Sequence, residues 1–409
     1  MLDLQFLRNN KEKVIEAIKK RRSGVDFEQF ISTDEERRKL ILEVETLNSE
    51  KNKAAKEKDI EKGKEIKERL QKKEAELAEI ESRFQEILEQ IPNLLHPEVP
   101  DGTREKDNKE IKKWGSQTKF DFVPQDHLTI GKTLGLIDQE RGAKVSGHGF
   151  YYLTGDGARL EVALVSWVMD FLTKEGFIPV IPPIMVRKKF VEGTGYLPRR
   201  QEPDIYKIEG EDLFLSATAE IQIAGMYAGE TLDTLPKNYV GFSSSFRKEA
   251  GSYGKYTHGI FRVHQFDKVE IFKFVAPEKS EEAFKEIISL QEKIYQNLEI
   301  PYRIVNICSG EMSTPAFLKH DLEYWDPVEG KYREMTSTSN TTDYQARRLN
   351  IKYKSRGKAE FVHTLNGTAI ALSRTIIALL ENHQQKDGSI RIPKVLHEYL
   401  GKDIIRGQE

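Results

Sequence analysis

The 409-residue chain is short of several things, and each shortage excludes a class of protein. Cys308 is its sole cysteine, so no disulfide can form within the chain and no cysteine-rich zinc site can be built. No run of about 18 apolar residues occurs, which argues against a membrane-spanning helix. Neither sign of charge prevails, with 64 Lys/Arg against 66 Asp/Glu and a net charge of −2. A nucleic-acid partner would have to be met by a local patch. The opening MLDLQFLRNN has neither the basic-then-apolar order of a secretory signal nor the Arg/Ser-rich bias of a transit peptide. A cytoplasmic, reduced protein is the expectation. What is plentiful is charge: 32% of residues are charged, above the globular average, while 38% hydrophobic residues suffice for a core. At this length two or three domains are expected.

The charge is concentrated early. Leu4, Leu7, Val14, Ile15 and Ile18 outline a short amphipathic helix. Ser32 and Thr33, each with a Glu three residues on, offer helix caps. Leu40, Val44, Leu47 and Ala54 then follow at helical spacing, and Ile66, Leu70, Leu77, Ile80, Phe84, Ile87 and Ile91 keep a heptad seam broken only by Lys73. The short connection around KEKDIEKGK, with Gly63, forces the two helices antiparallel. The spacing predicts a two-helix coiled-coil arm over about 33–91. Coiled-coil hairpins commonly serve as spacers or dimerisation devices, but here the charges are segregated. Residues 51–73 carry ten Lys/Arg against five acids, whereas 74–91 carry six acids and one Arg. A merely solvated helix would mix the signs. A basic distal tip with few base-reading groups suits the phosphates of a folded nucleic acid read by shape, RNA more naturally than DNA.

IPNLLHPEVPDG (91–102) has three prolines and ends the arm, which sets expected domains of 1–102 and 103–409. Beyond it, strand-like runs YVGFSSSF, IFRVHQF and VEIFKFV alternate with amphipathic helices near 158–175, 279–297 and 367–383. No regular βαβ alternation with a phosphate loop appears. An α+β class follows: the arm, then a mainly antiparallel β-sheet flanked by helices.

One hairpin stands out, SSSFRKEAGSYGKYTHGIFRVHQFDKVE (243–270). One strand ends near Arg247, a second is expected from Ile260 to Phe272, and the joint is far longer than a tight turn requires. It carries Lys255, His258 and two tyrosines. By period two, Arg247 shares a face with Glu249, and His264 with Phe266 and Glu270. Such a face is one wall of a polar site with an aromatic platform. Phe266 and Glu270 are four residues apart, about 13 Å along a strand, roughly the span from a stacked base to the far end of an attached small molecule. Taken singly these residues are unremarkable: Arg247 could be a surface arginine, Phe266 core, Glu334 and Ser337 loop. His264, Cys308, Trp167 and Phe171 are read as structural.

The hairpin resembles motif 2 of the class II aminoacyl-tRNA synthetases, in the form typical of the seryl-tRNA synthetase family. GFIPVIPPIMV with EGTGYLP is similar to the motif 1 region, and SATAEI to the serine-binding TAE segment. EMTSTSNTTDYQARR resembles the family's Ser/Asn-rich signature, and HTLNGTAIALSRTIIALLENHQQKDGSIRIPKVLHEYL resembles motif 3. The likeness spans the whole chain, arm included.

The resemblance implies a homodimeric enzyme that activates L-serine with ATP and charges tRNA(Ser), and tRNA(Sec) where one exists. It implies Mg²⁺ and no zinc, in the manner of the bacterial and eukaryotic type. Arg247 would bridge the serine carboxylate and the α-phosphate, and Glu249 would meet the adenine amino edge. Phe266 would stack under adenine with Arg374 above it; Arg247 and Arg374 are the catalytic cations. Lys248, Val263, Met335 and Thr336 complete the ATP contacts, and Glu334 and Ser337 would hold the metal. Thr218, Ala219, Glu220, Glu270, Asn366 and Thr368 would bind serine, the last through its hydroxyl. Three positions depart from the family's pattern: His258 for a loop arginine gripping the γ-phosphate, Thr368 for serine, and Ser373 for the glycine before Arg374. Two other classes are weighed against this one. A ligase loading an amino acid onto a carrier protein would lack the basic arm, and an inactive RNA-binding scaffold would lose the site residues.

Overall fold

The computed structural model describes residues 1–196, 204–249, 259–355 and 357–407. The chain forms two compact units, Met1–Leu94 and Leu95–Glu409. The first holds helices α1 (Leu4–Asn9), α2 (Lys11–Arg21), α3 (Phe27–Glu57) and α4 (Ile60–Gln90). The single short helix expected at the start is therefore two, separated at Asn10, whose φ of −128° is not helical. The arm's first helix also begins earlier than Ser32 or Thr33. Asp26 caps it, accepting from the Gln29 amide at 3.0 Å. Ser32 lies inside the helix and donates to the Gln29 carbonyl, while Thr33 is buried. The reason is apolar: Phe27 stacks on Phe30 and Phe30 on Phe84, so the extra turn removes aromatic surface from water.

The turn lies at Lys58, left-handed at φ 58°, and Asp59, which caps α4 through the Lys62 amide at 3.0 Å. Gly63 is within the helix. Leu40, Leu47, Ala54, Ile66, Leu70, Ile80 and Phe84 are buried along the seam. Lys73, the break in the heptad, lies 3.0 Å from Glu43 of the other helix and 2.9 Å from Glu76. Each 31-residue helix extends about 46 Å. Nine of the ten basic residues in 51–73 are exposed, Lys73 being the other, so the tip's charge faces water.

The second unit is built on an eight-stranded sheet. Its strands are β1 (Lys109–Trp114), β2 (Ile178–Val180), β3 (Lys237–Phe246), β4 (Gln265–Val275), β5 (Tyr302–Asn306), β6 (Leu318–Asp326), β7 (Lys331–Asn340) and β8 (His363–Ala371). The order is β1-β5-β6-β7-β8-β4-β3-β2, antiparallel throughout except for β2 beside β3. Four helices matter to the site: α5 (Asp156–Lys174), α6 (Ala219–Gly225), α7 (Ser280–Asn297) and α8 (Leu372–His383). Leu164 and Trp167 of α5, Ile287 of α7 and Ile376 of α8 join Val269 and Ile271 of β4 in the main core.

The unit boundary falls inside the proline-rich stretch, because His96 donates to the Phe317 carbonyl and Ser309 to that of Pro100, both at 2.9 Å. Two expected elements shift. The returning strand begins at Gln265, since the Ile260 amide donates to the His127 ring and the His264 amide to the Gly149 carbonyl, both outside the ladder. The segment expected as helix over 367–383 is strand as far as Ala371 and helical only from Leu372. Gly367 shows why: it lies in the ladder between β7 and β4, where a Cβ would come within 2.4 Å of Ile287.

Replacing Asp26 with Ala is expected to destabilise the first unit by about 1 kcal/mol, whereas Ser32→Ala changes it by less than about 0.5 kcal/mol. Urea titrations followed by circular dichroism compare the two.

Candidate functional site

Strand pairing positions the site. Across β3 and β4, Ser245 faces Phe266, Ser243 faces Lys268 and Gly241 faces Glu270. Phe266, Lys268 and Glu270 therefore share one face, and Arg247, two residues beyond Ser245, continues it. Its guanidinium lies 5.3 Å from the Phe266 ring. The same face opens onto a cavity of about 330 Å³.

At one end lie two buried carboxylates. Thr218 caps α6 by accepting from the Glu220 amide at 3.3 Å, which places Glu220 in the first turn. Glu220 accepts from the Tyr196 hydroxyl at 2.7 Å, the Gln345 amide at 2.6 Å and the Asn366 amide at 3.0 Å. Burial raises its pKa, and the neighbouring Glu270 adds to the effect. Glu270 accepts from the Thr368 hydroxyl at 3.0 Å and pairs with Lys268 at 2.7 Å. Burial lowers the Lys268 pKa, against the pull of Glu270. That ammonium also donates to Thr218 at 2.7 Å.

At the other end Arg374 of α8 lies 3.2 Å from a Glu334 carboxylate oxygen and 4.6 Å from the Phe261 ring. The guanidinium holds the Glu334 carboxyl at about 2, far below the usual range. Ser337 donates to the same carboxylate at 3.4 Å. Residues three apart in a regular strand face opposite ways. Here a bulge at Met335 between β6 and β7 pairs Glu334 with Glu323 and Ser337 with Asp321, so both reach one face. Between the two ends Arg262 lies 2.9 Å from Glu249, whose φ of 51° is a left-handed conformation uncommon for a side-chain-bearing residue.

The structure gathers most of the expected residues. Arg247, Glu249, Val263, Phe266, Glu334, Met335, Thr336, Ser337 and Arg374 line the cavity, as do Glu220, Glu270, Asn366 and Thr368. Three do not. Thr218 is fully buried against Lys268, Ala219 packs into a secondary core, and Lys248 is exposed, its ammonium 5.9 Å from the Tyr206 ring. Lys255, His258, the loop tyrosines Tyr253 and Tyr256, and Leu197 and Pro198 of EGTGYLP lie outside the described residues.

Sequence reasoning missed Tyr196, Arg262, Lys268 and Lys319 on the cavity wall and Gln345 behind Glu220. Lys268 had a signal, being midway between Phe266 and Glu270 on one period-two face. Arg262 had the same one, lying in the same hairpin on the same parity, whereas Tyr196, Lys319 and Gln345 come from distant segments that only folding brings together. Oxygen donors on Glu334 and Ser337 fit a hard cation. Among the described residues no three His, Cys, Asp or Glu side chains are grouped to hold a metal by themselves. Nor is any described helix long and apolar enough to cross a membrane.

Comparison with known proteins matches residues 1–95 to the seryl-tRNA synthetase N-terminal domain and residues 205–383 to the class II tRNA synthetase core domain for G, H, P, S and T. A serine--tRNA ligase of Dictyoglomus thermophilum is 48% identical, with 99% of each chain covered. One from Rubrobacter xylanophilus is 44% identical, also over 99% of each. The crystal structure of seryl-tRNA synthetase from Pyrococcus horikoshii, complexed with ATP, superposes with a TM-score of 0.93 at 42% identity over the whole of both chains. The cytoplasmic enzyme of Naegleria fowleri, complexed with AMP, gives 0.87 at 36% identity over 99% of this chain and 97% of the other. The likeness runs through both units of the chain, and the chain belongs to the seryl-tRNA synthetase family of class II aminoacyl-tRNA synthetases.

Proposed function

We propose that this chain is a serine--tRNA ligase that converts L-serine and ATP to seryl adenylate and pyrophosphate, then passes the seryl group to the 3′ end of tRNA(Ser), and of tRNA(Sec) where one is present. The observation that carries this reading is the cavity's polarity. Two buried carboxylates stand at one end, Arg374 and Glu334 at the other, and Arg247 on the wall beside the ring of Phe266.

Glu220 and Glu270 receive the serine ammonium, with Asn366 and Tyr196 holding Glu220 in place. Thr368 and Glu270 meet the serine hydroxyl. Alanine leaves these groups unpaired, a defect worth about 10⁴-fold in selection, whereas threonine must be excluded by the added methyl. Arg247 bridges the serine carboxylate and the α-phosphate. The carboxylate oxygen attacks the α-phosphorus, the bond to the β-phosphate oxygen breaks, and pyrophosphate leaves. No general base is required, since a carboxylate is already nucleophilic; catalysis is positioning and charge neutralisation. The adenine lies on Phe266, Glu249 faces its amino edge, and Val263 and the strand Glu334–Ser337 flank the nucleotide. Arg374 covers adenine and reaches phosphate. Arg262 and Lys319 add positive charge on the same wall. Glu334 and Ser337 would hold Mg²⁺, which would supply neutralisation of phosphate charge at that end. In the second step a ribose hydroxyl of the tRNA terminus attacks the seryl carbonyl and AMP departs.

The exposed cations of the arm suit the tRNA backbone. We read the enzyme as a cytoplasmic homodimer in which one subunit's arm guides tRNA to the other's site. The exposed Val162, Ile178, Ile181 and Met185 support association through the region of α5 and β2.

Serine-dependent exchange of pyrophosphate into ATP is expected without tRNA, with alanine and threonine far weaker. Absence of exchange in folded protein would favour the scaffold reading. Replacing residues 45–71 with a glycine-rich turn should leave exchange within about twofold yet reduce tRNA charging at least about 100-fold, because phosphate contacts to the basic tip are lost.

Glu220 also predicts a pH effect. Its raised pKa means that the carboxyl takes up a proton at a higher pH than an ordinary glutamate, and the neutral form no longer attracts an ammonium. The KM for serine should rise as pH falls through that raised pKa. Glu220→Gln should raise the KM at neutral pH by about 100-fold or more and flatten the acid limb, since one buried charge-assisted bond is lost.

A further inference from the structure

The peptide group between Gly259 and Ile260 is held at both ends by side chains from a distant segment. Gln139, at the start of the helix Gln139–Ser146, donates its amide to the Gly259 carbonyl at 2.8 Å. The Ile260 amide donates to Nε2 of His127 at 3.3 Å. A ring nitrogen that accepts from N–H must be unprotonated, so the His127 proton is on Nδ1 and is donated to Glu381 at 2.7 Å. The Glu381 carboxylate also accepts from the His127 amide at 3.1 Å, and His127 and Glu381 are both buried.

Glu381 belongs to α8, the helix that carries Arg374 two turns earlier. Immediately after the held peptide come Phe261, under the Arg374 guanidinium, and Arg262, paired with Glu249. A closed circuit results: α8 to His127, His127 to Ile260, Ile260 through Phe261 back to α8. Gly259 is shaped for it, with φ at 68° and a hypothetical Cβ only 1.8 Å from His127 Nε2. Any side chain at 259 would push the imidazole off the peptide.

We propose that His127 and Gln139 are positioning residues that clamp the Gly259–Ile260 peptide and thereby set Phe261 against Arg374 and Arg262 against Glu249 at the nucleotide end of the cavity. Neither side chain lines the cavity. They act through the orientation of one peptide plane, which fixes the direction in which the next two side chains leave the backbone. The serine end is built on other elements, α6 and the far half of β4, so the two substrates should respond differently when the circuit is cut.

This proposal rests on the functional reading above, and pyrophosphate exchange tests it with Gln139→Leu and His127→Phe. Gln139 is half-buried, and leucine keeps its bulk while removing the bond to Gly259. Loss of that bond is expected to raise the KM for ATP about fivefold, the change typical of one net hydrogen bond, and leave that for serine within about twofold. His127→Phe, which also severs the link to α8, should raise the ATP KM further. If that variant does not fold, Gln139→Leu alone decides. With wild-type exchange present, an unchanged ATP KM in Gln139→Leu, or an equal rise in both KM values, overturns the clamp and leaves the functional reading intact. Absence of exchange in the wild type overturns both.

Discussion

Two carboxylates, Glu220 and Glu270, lie out of water at the end of one cavity, where burial and the charge of Glu270 raise the affinity of Glu220 for a proton. Much of the second unit can be understood from what it takes to keep them there. Burial of an unpaired carboxylate costs several kcal/mol, so every lone pair needs a donor. The donors come from three separate segments, Tyr196, Gln345, and Asn366 with Thr368 on β8, while Lys268 of β4 supplies a direct counter-charge. On the proposed reading, a site so supported receives an ammonium without rearranging, because the donors already hold the carboxylates in position.

The opposite end follows another logic. Arg374 and Glu334 neutralise each other, and the guanidinium of Arg374 lies over the Phe261 ring. A polyphosphate or a hard cation entering here exchanges one set of charge partners for another and creates no unpaired charge. Arg247, with its guanidinium over Phe266, is the element common to both ends. On the proposed reading it lies where the two substrates meet.

The sequence carried the arm nearly complete, since heptad spacing and charge segregation are local properties of neighbouring turns. Its beginning was misplaced because the stack of Phe27, Phe30 and Phe84 is a contact between helices, invisible to a search for caps. Strand parity likewise predicted that Phe266 and Glu270 would share a face, and Lys268 could have been added by the same rule. The segment after Gly367 misled, because its apolar pattern suits a buried strand as well as a helix and only the ladders on either side decide.

By itself, then, the order of residues determined which side chains are chemically fit for the work and which of them lie on one face of one strand. Period two and period 3.6 are properties of the backbone and need no partner. Tertiary structure decided the rest. The bulge at Met335 brings Glu334 and Ser337 to one side, and Gln345 and Tyr196 converge on Glu220 from far along the chain. His127 reaches a peptide more than a hundred residues away. Such placements depend on register and on packing between segments, which no local periodicity encodes.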